Sequence, residues 1–270
     1  MFENLFPIYL SQLNPVALAL GPLEIRWYSL AYIFGILSTL FYLKFANEKE
    51  QFMSQEAYDS WLSWAILSII LGGRFGYVLF YNLPYFLSNP LEIFAFWHGG
   101  MSFHGGLLGA IFGMFLFAKY YKINYLQLSD KLAITAPIGL FFGRIANFIN
   151  MELYGRTTSS NYGIIFPNAG SLPRHPSQLY EAFLEGIILF IILIFLKKFT
   201  KISKTYGRIS GVFLIFYGSF RSFVEIFRQP DEQIGFILSH LTMGQILSVP
   251  LVLFGIYLTF FQKKLKKNLA

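Results

Sequence analysis

The chain contains no cysteine, and this absence removes disulfide scaffolds, thiolate metal sites and any nucleophilic thiol of its own. Charge is also scarce, at 13% of residues against 55% hydrophobic and 20% aromatic. With 270 residues and a mean hydropathy of +0.53, a soluble domain could not hide so much apolar surface, so the chain belongs in a bilayer. No Lys or Arg precedes Arg26, so the opening M-F-E-N-L-F-P lacks the basic region of a cleaved signal peptide, and the first hydrophobic segment is expected to stay in the mature protein. No serine elbow, H-E-x-x-H pair or Walker loop occurs, which leaves a hydrolase, a zinc protease and an ATPase without support. No metal or cofactor is expected.

What remains is a set of long apolar runs. Seven are long enough to cross about 30 Å of hydrocarbon at about 1.5 Å per residue: Arg26 to Phe45, Tyr58 to Tyr81, Phe94 to Tyr120, Leu132 to Asn150, Gln178 to Leu196, Ile209 to Phe227 and Leu241 to Phe261. The formal net charge of +7 is not a nucleic-acid signal, because the lysines fall in alternate loops. Lys44 and Lys49, then Lys119, Lys122 and Lys131, then Lys197 to Arg208, and finally Lys263, Lys264, Lys266 and Lys267 mark one side as cytoplasmic. The last cluster reads as an anchor to anionic inner-leaflet lipid. The expectation is an all-α integral membrane protein: one transmembrane domain over 1–270, seven helices, N-terminus out and C-terminus cytoplasmic. Residues 151–177 would form a small extracytoplasmic cap, either a hairpin or a plain loop.

The most informative stretch is Gly143 to Arg156, G-R-I-A-N-F-I-N-M-E-L-Y-G-R, which gathers Arg144, Asn147, Asn150, Glu152 and Arg156 at the end of an apolar run. An arginine inside a membrane helix costs roughly 2.5 to 3.5 kcal/mol even on lenient scales, so it is normally paired and given a task. The topology puts Arg26, Arg74, His104, Arg144 and Arg221 all in the outer half of the bilayer, with Glu24, Glu152, Glu181 and Glu225 at the same level. One cavity lined by cations and carboxylates is the expected picture; separate interhelical ion pairs are the alternative. Gly105, Gly109 and Gly113 recur every four residues, the spacing that lets helices approach closely in lipid, and Gly72, Gly73 and Gly76 do the same for the second segment. Arg221, Glu225 and Arg228 fall on one helix face. His104 is the natural proton acceptor at this depth, since arginine cannot serve. Arginine matches phosphate through paired, charge-assisted hydrogen bonds, and a phospholipid headgroup is the phosphate available there.

These motifs, together with S-F-H-G-G, R-H-P-S-Q-L-Y-E, R-x-x-x-E-x-x-R-x-P-D and M-G-Q in the same order, resemble the bacterial prolipoprotein diacylglyceryl transferase family from about Tyr28 to Gln245. The resemblance implies a multi-pass enzyme of the cell inner membrane, its active site facing the outer leaflet. Its substrates would be phosphatidylglycerol and the lipobox cysteine of a prolipoprotein signal peptide, joined as a thioether with release of glycerol phosphate. It implies His104, Arg144 and Arg221 as catalytic, and Tyr28, Arg144, Asn147, Glu152, Gly155, Glu225 and Arg228 as substrate-binding. Ala146 and Ser222 depart from the residues usual in the family, and neither change removes a polar group. A nucleophile supplied by the substrate suits a chain without cysteine. A phospholipid-binding or transporting protein with the same cavity is the alternative, and it would be favoured by an internal repeat, which the sequence lacks.

Overall fold

The computed structural model describes residues 8–9, 13–230, 235–237 and 241–261. The lysines from Lys263 to Lys267, His240, Asp231 of the R-x-P-D motif and the opening M-F-E-N-L-F-P lie outside the described residues. In chain order the elements are β1 (Ile8–Tyr9), β2 (Val16–Leu20), β3 (Leu23–Arg26), α1 (Trp27–Glu50), α2 (Gln55–Tyr81), α3 (Leu83–Ser88), α4 (Phe103–Tyr120) and α5 (Tyr125–Ile149). They continue with β4 (Ile164–Ile165), α6 (Ser177–Glu181), α7 (Leu189–Phe199), α8 (Arg208–Val224) and α9 (Met243–Ile256). A π-helical segment, Ala182–Ile188, joins α6 to α7, and a second one, Tyr257–Phe261, extends α9.

Among the described residues six helices are long and apolar enough to cross a membrane: α1, α2, α4, α5, the continuous Ser177–Phe199, and Met243–Phe261. The remaining expected segment is α8, which is 17 residues long. Large apolar side chains such as Leu67, Leu79 and Phe80 on α2 or Phe112 on α4 stand exposed, as expected where the surrounding solvent is hydrocarbon.

Several expected boundaries move, each for a local reason. Arg26 does not open the first helix; it ends β3 and makes an exposed pair with Glu24 at 3.3 Å. The third segment does not start at Phe94, because Gly99 and Gly100 take φ of 76° and 78° and break the chain direction. Helix α4 begins only after Ser102, whose Oγ accepts the Gly105 N–H at 3.2 Å. α5 starts at Tyr125, well before Leu132. The M-G-Q motif lies at the start of α9 as a capping box: Thr242 Oγ1 accepts the Gln245 N–H at 3.3 Å while Gln245 Oε1 accepts the Thr242 N–H at 3.1 Å. An antiparallel β2–β3 hairpin, turning at Gly21, and a two-residue parallel pairing of β1 with β4 add strand structure to the expected all-helical chain.

The chain divides into two compact units, 40–128 and the combination of 1–39 with 129–270. In the first, α2 and α4 meet along the expected glycine seam. A Cβ placed on Gly72 would lie 2.5 Å from the Gly105 carbonyl oxygen and from the Gly109 Cα, and one on Gly76 would lie 2.6 Å from the Gly105 Cα. The backbones therefore touch, which is how helices gain dispersion energy in lipid, where burial of apolar surface supplies no drive. In the second unit, Gly35 faces Gly139 and Thr39 Oγ1 donates to Thr135 Oγ1 at 2.9 Å, joining α1 to α5. Gly211 and Gly255 bring α8 against α9 in the same way. At the same N-terminal end of α8, the buried Asp130 carboxylate of α5 accepts the Gly207 and Ser210 N–H groups, each at 2.8 Å. Gly143, by contrast, has nothing within 4 Å of the place a Cβ would take and is no packing contact.

Gly109→Val should therefore lower the unfolding temperature in detergent markedly, since overpacking on the order of 1–3 kcal/mol meets backbone that cannot yield. Gly143→Ala should leave that temperature unchanged or raise it slightly, and thermal unfolding of the two purified variants checks both.

Candidate active site

Three arginines and three glutamates from α5, the Ser177–Phe199 helix and the C-terminal end of α8 converge in the second unit. Glu181 is fully buried and bridges all three cations: Arg144 Nε lies 3.1 Å from Oε2, Arg228 Nη1 lies 3.0 Å from Oε1, and Arg221 Nη1 also pairs with Oε1. Arg221 Nη2 pairs with Glu225, and Arg228 Nε lies 3.8 Å from the same carboxylate. Arg144 Nη2 stands 3.5 Å from Glu185. The glutamates are almost inaccessible, at 0% for Glu181 and Glu185 and 4% for Glu225, whereas the Arg144 and Arg221 side chains keep 16% and 15%. The carboxylates thus form the back of the cluster, and the two partly accessible arginine side chains form its front.

The sequence explains how these ends meet. Gly155 is wedged between two backbones: a Cβ there would lie 2.5 Å from the His175 carbonyl oxygen and 2.6 Å from that of Phe227. With Arg156 it ties the 151–177 segment to the chain leaving α8, through Arg156 N–H to Phe227 O at 2.8 Å and Arg156 Nε to Arg228 O at 2.9 Å. Gly244 leaves room for Glu225, whose carboxyl carbon would be 2.6 Å from a Cβ at that position. Within the 151–177 segment, Ile164 and Arg174 exchange N–H···O bonds of 2.9 Å in both directions, and Ile164, Ile165 and Phe166 are buried.

Beside the cluster, Asn147 and Glu152 come together, with Asn147 Nδ2 donating to Glu152 Oε1 at 2.8 Å and Asn150 Nδ2 at 3.3 Å. Glu152 sits between Met151 and Leu153, both left-handed at φ of 53° and 57°. Such positions cost of order 1–3 kcal/mol and persist only when the surroundings hold them. Here Gln178 Nε2 donates to Glu152 O at 2.7 Å, Ser177 Oγ to Leu153 O at 3.0 Å and Asn168 Nδ2 to Met151 O at 2.7 Å. His175, just ahead of α6, has its imidazole lowered by partial burial and is neutral at pH 7; its Nδ1 faces the Tyr180 hydroxyl at 3.2 Å.

The expected roster is thus partly regrouped. Arg144, Arg221, Glu225 and Arg228 share one cluster, Asn147 pairs with Glu152, and Gly155 is the wedge. The Glu152 carboxylate is engaged by the two asparagines, and Arg144 is held by Glu181 and Glu185. Tyr28, second residue of α1, packs edge-on to Tyr32 at 5.3 Å. His104 is carried by the other unit, exposed at the second position of α4 with its ring edge-on to Phe103. Arg74 does not join a cation-lined cavity. Its buried guanidinium donates to the carbonyls of Glu92, Ile93, Ala95, Gly99 and Gly100, holding the loop before α4. Arg26 is likewise spoken for, by exposed Glu24.

A family model described as prolipoprotein diacylglyceryl transferase matches residues 15–261. The chain belongs to that family. Curated relatives carry the name phosphatidylglycerol–prolipoprotein diacylglyceryl transferase. The Rickettsia felis protein is 54% identical over 247 residues, covering 91% of this chain and 95% of its own. The Rickettsia typhi protein is 52% identical over 250 residues, covering 92% and 96%. Membership makes this chain a transferase, and its apolar helices make it a multi-pass membrane protein.

Glu181→Ala should destabilise this family member by about 3–5 kcal/mol, because three guanidiniums would lose a shared, buried partner. Glu24→Ala, at an exposed pair, should change almost nothing. Denaturant unfolding in detergent distinguishes the two.

Proposed function

We infer that this chain moves the diacylglyceryl group of phosphatidylglycerol onto the thiol of a prolipoprotein lipobox cysteine, forming a thioether and releasing glycerol phosphate. The observation that carries the reading is the pair of partly accessible arginine side chains, Arg144 and Arg221, backed by buried carboxylates within a membrane-spanning member of this family. Two relatives named for the same substrates support it at 54% and 52% identity.

In this reading the enzyme crosses the inner membrane seven times, α8 being the additional span, with its N-terminus outside, its C-terminus in the cytoplasm and the arginine cluster beneath the outer leaflet. The alternation of lysine-bearing loops supports that orientation. The phosphate of the lipid occupies the open edges of Arg144 and Arg221. The substrate sulfur attacks the glycerol carbon, the C–O bond to phosphate breaks, and the electron pair leaves with glycerol phosphate. His104 accepts the thiol proton, since a thiol near its ordinary pKa of about 8.5 is mostly protonated at neutral pH. Arg144 and Arg221 stabilise the charge that builds on the leaving phosphate. Glu181 and Glu225 fix the guanidinium orientations, Arg228 adds a third cation, and Asn147, Glu152 and Tyr28 contact the lipid head or the peptide.

Purified protein in phosphatidylglycerol micelles should add the diacylglyceryl mass to a lipobox peptide carrying cysteine and not to its serine counterpart; an unmodified cysteine peptide would sink the reading. Arg144→Lys and Arg221→Lys should each lower turnover by about 10²–10³-fold, because an ammonium replaces a planar fork that spans carboxylate and phosphate together. His104→Ala should cost about 10²–10⁴-fold, and full activity in that variant would leave thiol activation to arginine electrostatics.

A further inference from the structure

Glu185 is the buried charged group of the arginine cluster that the reaction above does not use. It is fully buried, and among the described residues neither carboxylate oxygen accepts a hydrogen bond. Its nearest cation is Arg144, at 3.5 Å. It stands on the π-helical segment Ala182–Ile188, a geometry frequent at functional sites. The next residue, Gly186, locks this turn onto α5, since a Cβ there would lie 2.7 Å from the Phe141 Cβ and 3.0 Å from its Cα. The backbone that carries Glu185 is therefore packed tightly on the helix that carries Arg144.

The groups that face Glu185 are Arg144 from α5, Glu181 from α6, Tyr217 and Arg221 from α8, and Arg228 just beyond it. An ionised carboxylate buried without hydrogen bonds is tolerable only through its neighbouring cations. A phosphodiester anion arriving at Arg144 and Arg221 competes for the same cations and adds a like charge at close range. A carboxyl group in that position then favours its neutral form.

We propose that Glu185 is a proton-carrying positioning residue. It holds Arg144 as a carboxylate while no phosphate is bound, and takes up one proton as the lipid phosphate monoanion enters. One negative charge and one proton arrive together, so the net charge of the buried cluster does not change. The proton comes from water and returns to water when the phosphate departs, and the O–H of Glu185 is the only bond made or broken there. The proposal rests on the reading of Arg144 and Arg221 as the phosphate site. Its signature is that lipid affinity falls as pH rises, by about tenfold per pH unit where one proton is bound with the lipid.

Calorimetric titration of the full-length protein with short-chain phosphatidylglycerol, in two buffers of different ionisation enthalpy, counts the protons taken up on binding. About one is expected in the wild type and none in Glu185→Gln. In the peptide-transfer assay, the wild-type KM for phosphatidylglycerol should rise with pH, and that of Glu185→Gln should change less than about twofold over the same range. Binding without proton uptake in the wild type, or an unchanged KM slope in Glu185→Gln, overturns the proposal. Because the calorimetric count is read on the wild type, it stands even if the variant fails to fold. A wild type that takes up the proton on binding yet leaves the peptide unmodified supports Glu185 and removes the transferase reading; absence of lipid binding removes both.

Discussion

The contact on which the rest depends is the meeting of Glu181 with three guanidiniums in a membrane-embedded helix. Charges in such surroundings are tolerated only when paired, so this carboxylate lets three arginines remain cationic at one place. Three separate stretches of sequence must arrive together for that: the end of α5, the beginning of the Ser177–Phe199 helix and the end of α8. The Gly155 wedge and the Arg156 bonds to the backbone beyond α8 fix two of those arrivals. Gly244 fixes the floor under Glu225. Small residues here set placement, and charged ones set binding.

The cluster is not a closed ion-pair knot. A purely structural network would gain from burying both signs equally, yet here the accessible side chains are arginines and the inaccessible ones glutamates. That asymmetry suits an anionic visitor. The strained Met151–Glu152–Leu153 turn points the same way, since two left-handed residues are held by Gln178, Ser177 and Asn168 where a relaxed turn would need none of them. Held strain of this kind marks places where geometry matters more than stability.

Much of this is legible in the sequence. Hydropathy finds six of the membrane helices, though it misplaces the starts of α4 and α5, and glycines at four-residue spacing name the α2–α4 seam, because both signals depend only on local composition. The G-R-I-A-N motif points to Arg144, Asn147 and Glu152. Depth alone does not say which cation meets which anion. It puts Arg26 and Arg74 in the same cavity as Arg144, whereas one pairs at the surface and the other serves backbone carbonyls. It also sets Glu152 level with Glu181 as a partner for the arginines and leaves out Glu185, when Glu181 and Glu185 hold Arg144 and Glu152 takes two asparagines. A signal for those two exists, since they are four apart on one helix and so share a face. The start of α4 is hidden because two glycines at positive φ interrupt a run that remains apolar.

The π-helical segment between α6 and α7 has a consequence for how such a helix tolerates change. A π turn accommodates one residue more than an α-helix would at the same place. Residues before it, including Glu181, and residues after it, such as Leu189 and Leu193 in the core, are therefore set to different faces than an uninterrupted helix would give. Removing one residue from Ala182–Ile188 would swing Glu181 by about 100° relative to the buried leucines. The lengthened turn is a rotational offset written into the backbone, and it lets one helix satisfy a polar cluster at its N-terminal end and an apolar core along the remainder.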